Sequence, residues 1–289
     1  MAKYTYDEPT NREDLTDIIT NISPTDTPIT TMIGKTKAKA TYHEFPVDEL
    51  AAAAANAHAE GELDTVADAP ARTRSGNHTQ IMKRGYAVTA TQQAVDKAGV
   101  SDEYGYQMIK AMKELGKDLE LAITTQTQDV AGSKTVARQF AGIPGLVKTN
   151  VVKATAVTMK AISDALQAAW QHGGTPSKLI VSGTNKRAIS ALTTSNTKNI
   201  DAAKKKVVEA IDVIDTDFGR VEIVASRFLD DKSIFVLDPS YLAVAWLRPF
   251  QKKDLPETAD AKSGIITGEM TLELRGEAGQ AIITVGSGS

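Results

Sequence analysis

The strongest constraint on this chain is a stretch that has no means of folding alone. From Leu50 to Asn77 it reads LAAAAANAHAEGELDTVADAPARTRSGN, and Leu50, Leu63 and Val66 are its only large apolar residues. Alanine favours helix intrinsically, yet a turn or so of isolated helix is marginal in water. Small and turn-forming residues fill most of the remainder, so the stretch reads as a long loop projecting from a body. Strand-like limbs frame it: ATYHEFPV, with Tyr42 and Phe45, and HTQIMKRGYAVTAT, with Ile81, Tyr86 and Val88. The whole excursion covers residues 40–97.

Its charge changes sign along the way. Between Lys39 and Arg72 there is no Lys or Arg, whereas Glu44, Asp48, Glu49, Glu60, Glu62, Asp64 and Asp68 all fall there. Arg72, Arg74, Lys83 and Arg84 then precede the next acid, Asp96. An acidic limb going out and a basic limb coming back suit a hairpin whose limbs attract each other, or which attracts neighbouring copies. A solvated loop is the plainer alternative.

Residues 1–39 read as an arm. Asn11 can cap a short helix over 11–22, with Leu15, Ile18, Ile19 and Ile22 on one face. Pro24 and Pro28 end it, because proline lacks the amide donor and clashes with the preceding turn. So little apolar surface cannot sustain a fold, and the arm must lie along something else.

The rest can bury cores. The clearest helix spans about 101–127: Ser101 can cap it, Asp102 and Glu103 complement its dipole, and Met108, Met112, Leu115, Leu119 and Ile123 recur at steps of three or four. That is a rod of roughly 40 Å, with the methionines read as core. Gly105 and Gly116 weaken it by about 1 kcal/mol each, and leave room for curvature or close packing. From 155 to 245 the pattern is compact α/β. Thr158 opens a helix with Met159, Ile162, Leu166 and Trp170 on one face, and Gly173 and Gly174 stop it. KLIVSG is a short buried strand, Asn185–Leu192 a short helix, and VVEAIDVID, RVEIVAS and SIFVLD are sheet strands, with a turn at Asp217–Gly219. LAVAWL is one more apolar run. QKKDLPETADAKSG reads as a polar loop. GEMTLELRG alternates Met270, Leu272 and Leu274 with Glu269, Thr271, Glu273 and Arg275, as a strand with one wet face. QAIITV is a second strand, joined to it through Gly276–Gly279 as a returning strand pair.

Chemistry finds little to stand on. There are no cysteines, which removes disulfides, thiolate metal sites and Cys nucleophiles together. The four histidines, His43, His58, His78 and His172, include no pair at i, i+4 and no HExxH, so no metal site is expected. Gly34-Lys35-Thr36 resembles the end of a P-loop, but Ile29 stands where the motif needs glycine. No GxSxG elbow or GxGxxG turn occurs, so no catalytic residue and no cofactor site are assigned. Lys204-Lys205-Lys206 is a basic triplet without aromatic neighbours to stack bases. No apolar run approaches the ~18 residues of a membrane helix, and MAKYTYDEPTNRED lacks the order of a secretory signal. A soluble chain made in a cytoplasm, without a membrane partner, is expected.

The order arm, charged hairpin, rod helix, α/β core and returning strands resembles the major capsid protein of tailed bacteriophages, the Hong Kong 97 fold. SPTDTPITTMIG, TYHEFPVDEL, GNHTQIMKRGYAVTATQQAVDKAG, KLIVSGTNKRAIS, DFGRVEIVASRFLDDKSIFVLDPSYLAVAWLRPF and GEMTLELRGEAGQAII carry the likeness over nearly the whole chain. The implied class is α+β, with residues 1–39 as N-arm and 40–97 as extended E-loop with flanking strands. Residues 98–155 would be the peripheral domain with its spine helix, 156–245 the compact α/β axial domain, and 246–289 the return strands of the peripheral domain.

The implied function is a non-enzymatic shell subunit that self-assembles into the pentamers and hexamers of an icosahedral phage head. Glu60, Glu62, Arg72, Arg74, Ile18 and Ile22 are candidate intersubunit contacts; Met108, Met112, Leu115 and Leu119 are the expected spine-helix core. Some relatives carry an N-terminal scaffolding domain of about a hundred residues that is cleaved off. A chain starting at Met1 leaves no room for one, so a separate scaffolding protein is expected, together with a portal protein. Some relatives weld subunits through an E-loop lysine, but Leu50–Gln80 contains no lysine, which predicts noncovalent stabilisation. Packaged double-stranded DNA would meet the inner face non-specifically, since tight binding needs a strongly basic surface and the net charge is −3. Competing readings are an encapsulin-type compartment shell and a soluble α/β enzyme with an unrecognised site. The enzyme predicts a discrete monomer or small oligomer, whereas the capsid predicts megadalton particles or capsomers.

Overall fold

The computed structural model describes residues 26–48, 50, 53–61, 72–95, 102–196, 212–256 and 260–286. Outside them lie the expected helix over 11–22 with Ile18 and Ile22, as well as Glu62, Ser101 and the lysine triplet at 204–206.

The elements in chain order are α1 (Pro28–Met32), β1 (Gly34–Lys37), β2 (Tyr42–Val47), β3 (Thr73–His78), β4 (Gln80–Thr89), α2 (Ala90–Ala94) and α3 (Glu103–Thr125). Then come α4 (Ile143–Leu146), β5 (Val151–Ala154), α5 (Met159–Gln171), β6 (Lys178–Val181), α6 (Gly183–Asn196), β7 (Val213–Thr216), β8 (Gly219–Ala225) and β9 (Ser233–Leu237). The chain closes with β10 (Leu242–Asp254), β11 (Ala261–Leu274) and β12 (Ala281–Val285). They build a four-stranded sheet in the order β1-β10-β11-β4, a six-stranded sheet in the order β5-β12-β9-β6-β8-β7, and the two-stranded ribbon β2-β3.

Short apolar strands make sense once both faces of the six-stranded sheet are covered. In β9, Ile234 and Val236 join a cluster with Ile162, Leu166 and Ala169 of α5, while Phe235 and Leu237 join a second cluster with Leu115, Leu119 and Ile123 of α3. β12 divides the same way, Ala281 and Ile283 against Ile282. One sheet therefore belongs to two cores. The α5 helix begins where Thr158 Oγ1 accepts the Ala161 amide at 3.2 Å and ends at Gly173, φ +80°. There the Gly174 amide reaches back to the Ala169 carbonyl, closing the turn in the left-handed conformation glycine permits.

Four expectations need correction. QAIITV does not pair with β11; β12 is an interior strand of the six-stranded sheet, parallel to β5 and antiparallel to β9. The 3₁₀ turn Glu277–Gly279 redirects the chain between the two sheets. LAVAWL, expected in the α/β core, instead begins β10 of the four-stranded sheet. Most of the supposed polar loop after Pro249 is a long antiparallel ladder, with Asp254 opposite Gly264 and β4 flanking Ala261–Met270. Along Gly264–Met270, β11 is paired with β10 on one side and with β4 on the other. Finally, TRSGNH belongs to β3, paired with β2 from Val47↔Thr73 to Tyr42↔His78, so the projecting loop is shorter than the composition suggests.

Candidate assembly surface

The alternation in β11 is real, but its polar face is not wet. Glu269, Thr271 and Glu273 are buried, because the root of the β2–β3 ribbon and the segment before α4 cover them. Glu269 accepts from Thr79 Oγ1 at 2.8 Å, Arg138 Nη2 at 2.6 Å and Arg248 Nε at 2.9 Å. Glu273 accepts from Thr36 Oγ1 at 2.7 Å, lies 2.9 Å from His43 Nε2, and pairs with Arg275. Burial pushes the Glu273 carboxyl up, but the hydrogen bonds from His43, Thr36 and Arg275 outweigh it and hold the group below the ordinary carboxylate value. Buried charge is tolerated here because nearly every lone pair has a donor.

Asn77 completes the root. Its side chain donates to the Ala141 and Leu272 carbonyls, both at 2.9 Å, and accepts the Ala141 amide at 2.8 Å. His78 meets Asp129 through its backbone amide and Nδ1. The ribbon is thus bolted to the body at its root. Beyond it, residues 53–61 have no regular structure and are all exposed. Arg72 meets Asp48 at 3.0 Å and Arg74 meets Glu44 at 3.9 Å, so the charge-switched limbs attract each other within the chain. Glu60 sits on the exposed loop.

The arm enters through α1, and Glu120 of α3 receives it. Its carboxylate accepts the Ile29 and Thr30 amides at 2.8 Å each, and Thr30 Oγ1 at 2.6 Å. A carboxylate at the start of a helix satisfies amides with no partner inside it. Tyr104, Ala111, Leu115, Leu119, Ala122 and Ile123 form the buried face of α3, with Met108 partly buried against it. Met112 is a correction: it is 43% exposed. One residue past Ala111 is a rotation of about 100° on a helix, which turns Met112 off the core and beside exposed Ile109. Trp170 is a second correction. It lies 55% exposed near the end of α5, its ring 5.8 Å from that of Phe218 in the β7–β8 turn.

The surface is therefore a rooted projection, an arm pinned at its last turn, and apolar side chains left bare on the rod helix. Among the described residues no three His, Asp or Glu side chains cluster as metal ligands would, and no described helix is long and apolar enough to cross a membrane. A profile of SU10 major capsid proteins matches residues 2–286. The chain belongs to the SU10 major capsid protein family. It is 28% identical over 171 residues to the major capsid protein of Escherichia phage Phieco32, which is 58% of this chain and 47% of that one. The match thus spans about half that relative's length.

Among solved structures, the cyanophage A-1(L) capsid asymmetric unit superposes with a TM-score of 0.71 at 11% identity, over 96% of this chain and 98% of that one. The holo-SrpI encapsulin complex of Synechococcus elongatus PCC 7942 gives 0.62 at 10% identity, over 95% and 91%. At such identities the likeness speaks to fold, and the α+β fold is the Hong Kong 97 type. Family membership makes the chain a structural subunit of a phage capsid, and so a virion component. The encapsulin shares the backbone plan, but the family profile favours the phage head. Sequence reasoning missed the layer built on Glu269 and Glu273, and the seat at Glu120. The only available signal was two acids alternating with apolar residues, which an exposed strand shows equally well.

Proposed function

We propose that this capsid subunit assembles into the pentamers and hexamers of an icosahedral head that encloses double-stranded DNA, in the cytoplasm of a host bacterium and with no catalytic role. The observation that carries the reading is the β2–β3 ribbon: its root is fixed by a buried polar layer, and the described residues 53–61 beyond it are all exposed. A projection aimed by its root and exposed at its far end is what a neighbouring copy can use. The α3 rod with the four-stranded sheet serves as peripheral domain, and the six-stranded sheet with α5 and α6 as axial domain around the capsomer centre.

Glu60, Glu62, Arg72, Arg74, Ile18 and Ile22 make contacts between copies. Arg72 and Arg74 already have partners in the opposite limb of their own ribbon, so their intersubunit share is the charge left over at an exposed pair, about 0–1 kcal/mol each. Repetition over the shell supplies the rest. A separate scaffolding protein and a portal protein are the other partners, and DNA touches the inner face without sequence preference. Electron microscopy of the purified chain, with scaffolding protein supplied where needed, tests this. Closed megadalton particles are expected; a chain that stays a small discrete oligomer under both conditions overturns it.

A further inference from the structure

Lys110, Lys113 and Lys117 follow one another along α3 at steps of three and four, which places them on a single line. Lys110 and Lys113 are exposed and Lys117 is half-buried, while Ala111, Leu115, Leu119 and Ala122 hold the opposite side of the helix in the core. The acids of α3 are all engaged elsewhere. Glu103 accepts from Gln107 Nε2 at 2.7 Å. Glu114 and Asp118 both face Arg84, at 3.4 and 2.7 Å, and Glu120 accepts the Ile29 and Thr30 amides. Among the described residues no carboxylate pairs with any of the three lysines. The row also has a defined side. Strand alternation turns Met270 and Leu272 of β11 toward α3, and Glu269 and Glu273 toward the ribbon root. The lysines and the ribbon root therefore lie on opposite sides of the four-stranded sheet.

Resting on the shell reading above, we propose that this row is where each subunit meets the packaged duplex, which makes the α3 side of the four-stranded sheet the lining of the shell. The row from Lys110 to Lys117 is roughly 10 Å long, and that length of duplex carries about six phosphate charges. Three point charges neutralise part of such an array and give a weak grip that is blind to sequence. The row is all lysine. An ammonium is a compact charge without a fixed fork, whereas arginine would clamp phosphates bidentately. Lysine contacts hold DNA without fixing its register. A protein helix suits the row less well. Ile109 and Met112 beside it are 53% and 43% exposed, but Gly116 is next on their line, so the run of apolar anchors that a docked helix needs stops at two.

Binding of the unassembled full-length chain to a short fluorescent duplex of mixed sequence, followed by anisotropy from about 20 to about 200 mM salt, reads the row directly. The triple variant Lys110→Gln, Lys113→Gln, Lys117→Gln is expected to flatten the slope of log K against log salt by about 2.7, which is about 0.9 per lysine. Lys153→Gln, Lys160→Gln and Lys232→Gln together remove the same charge from around the six-stranded sheet and α5, and should leave the slope unchanged. A control that flattens the slope equally overturns the proposal, as does an unaltered chain that binds no duplex at low salt. A row variant with the slope of the unaltered chain also overturns it, and if that variant no longer takes up scaffolding protein the row belongs to a protein partner. Should the triple variant fold poorly by circular dichroism, Lys113→Gln alone is read for its single step. In filled particles, electron microscopy should place the lysine side of α3 at the inner radius against the first layer of DNA; a row at the outer radius overturns the proposal. Failure of the unaltered chain to form particles would instead count against the shell reading, since the slopes are read without assembly.

Discussion

Glu273 is ionised in the fold against its own burial, since the donors around it outweigh the loss of water. Glu277 is held down in the same way by the Lys148 and Thr149 amides and the Thr149 hydroxyl. A carboxyl whose folded pKa lies below its unfolded value stabilises the fold above the unfolded value, and this is lost as pH falls through the folded one. Urea midpoints of the unassembled chain should therefore decline below about pH 4.5, and Glu273→Gln should flatten that decline; an equal decline in the variant refutes the assignment. Glu269→Ala leaves two arginines and a buried threonine without their acceptor, at a cost of about 2 kcal/mol. Gly116→Ala acts oppositely. With open space around its Cβ it should stabilise the unassembled chain by about 1 kcal/mol, read as a higher thermal midpoint. Alternation in β11 was legible before any coordinates, but what covers its acidic side depends on residues more than a hundred positions away, His43, Asn77 and Arg138, which no local pattern connects.

At the scale of elements, the ribbon and the body make separate demands. The root of β2–β3 is fixed by Asn77, His78 and His43, while residues 53–61 are all exposed. Replacing 51–70 with a short glycine-rich turn should leave the circular dichroism and thermal midpoint of the unassembled chain unchanged while abolishing particles in micrographs. Equal particle yield would show that the projection is dispensable. Helices with strong periodicity, α3 and α5, are found where their sequence predicts them, since 3.6-residue spacing is a local signal, although Asp102 and not Ser101 stands at the cap position of α3. Met112 and Trp170 mislead because an apolar residue near the edge of a helical face reads the same whether its own chain or another covers it. Strand partners are harder still: β11 and β12 are separated by six residues yet lie in different sheets, and only the 3₁₀ turn between them decides it.

For the molecule as a whole, the six-stranded sheet is the joint. Its two faces feed two cores, so damage to the sheet reaches both. Ending the chain before Ala281 removes a strand flanked by β5 and β9, and should collapse amide protection across α5, β6 and β9 in hydrogen exchange; protection retained there would mean that the sheet closes without β12. The same placement has a consequence for synthesis. Residues 281–285 follow every other strand of that sheet in chain order, and until they are made a gap stands between β5 and β9. A chain lacking β12 therefore presents no finished building block, and polymerisation has to wait for that strand: the order of translation acts as a clock that keeps incomplete copies out of the growing lattice.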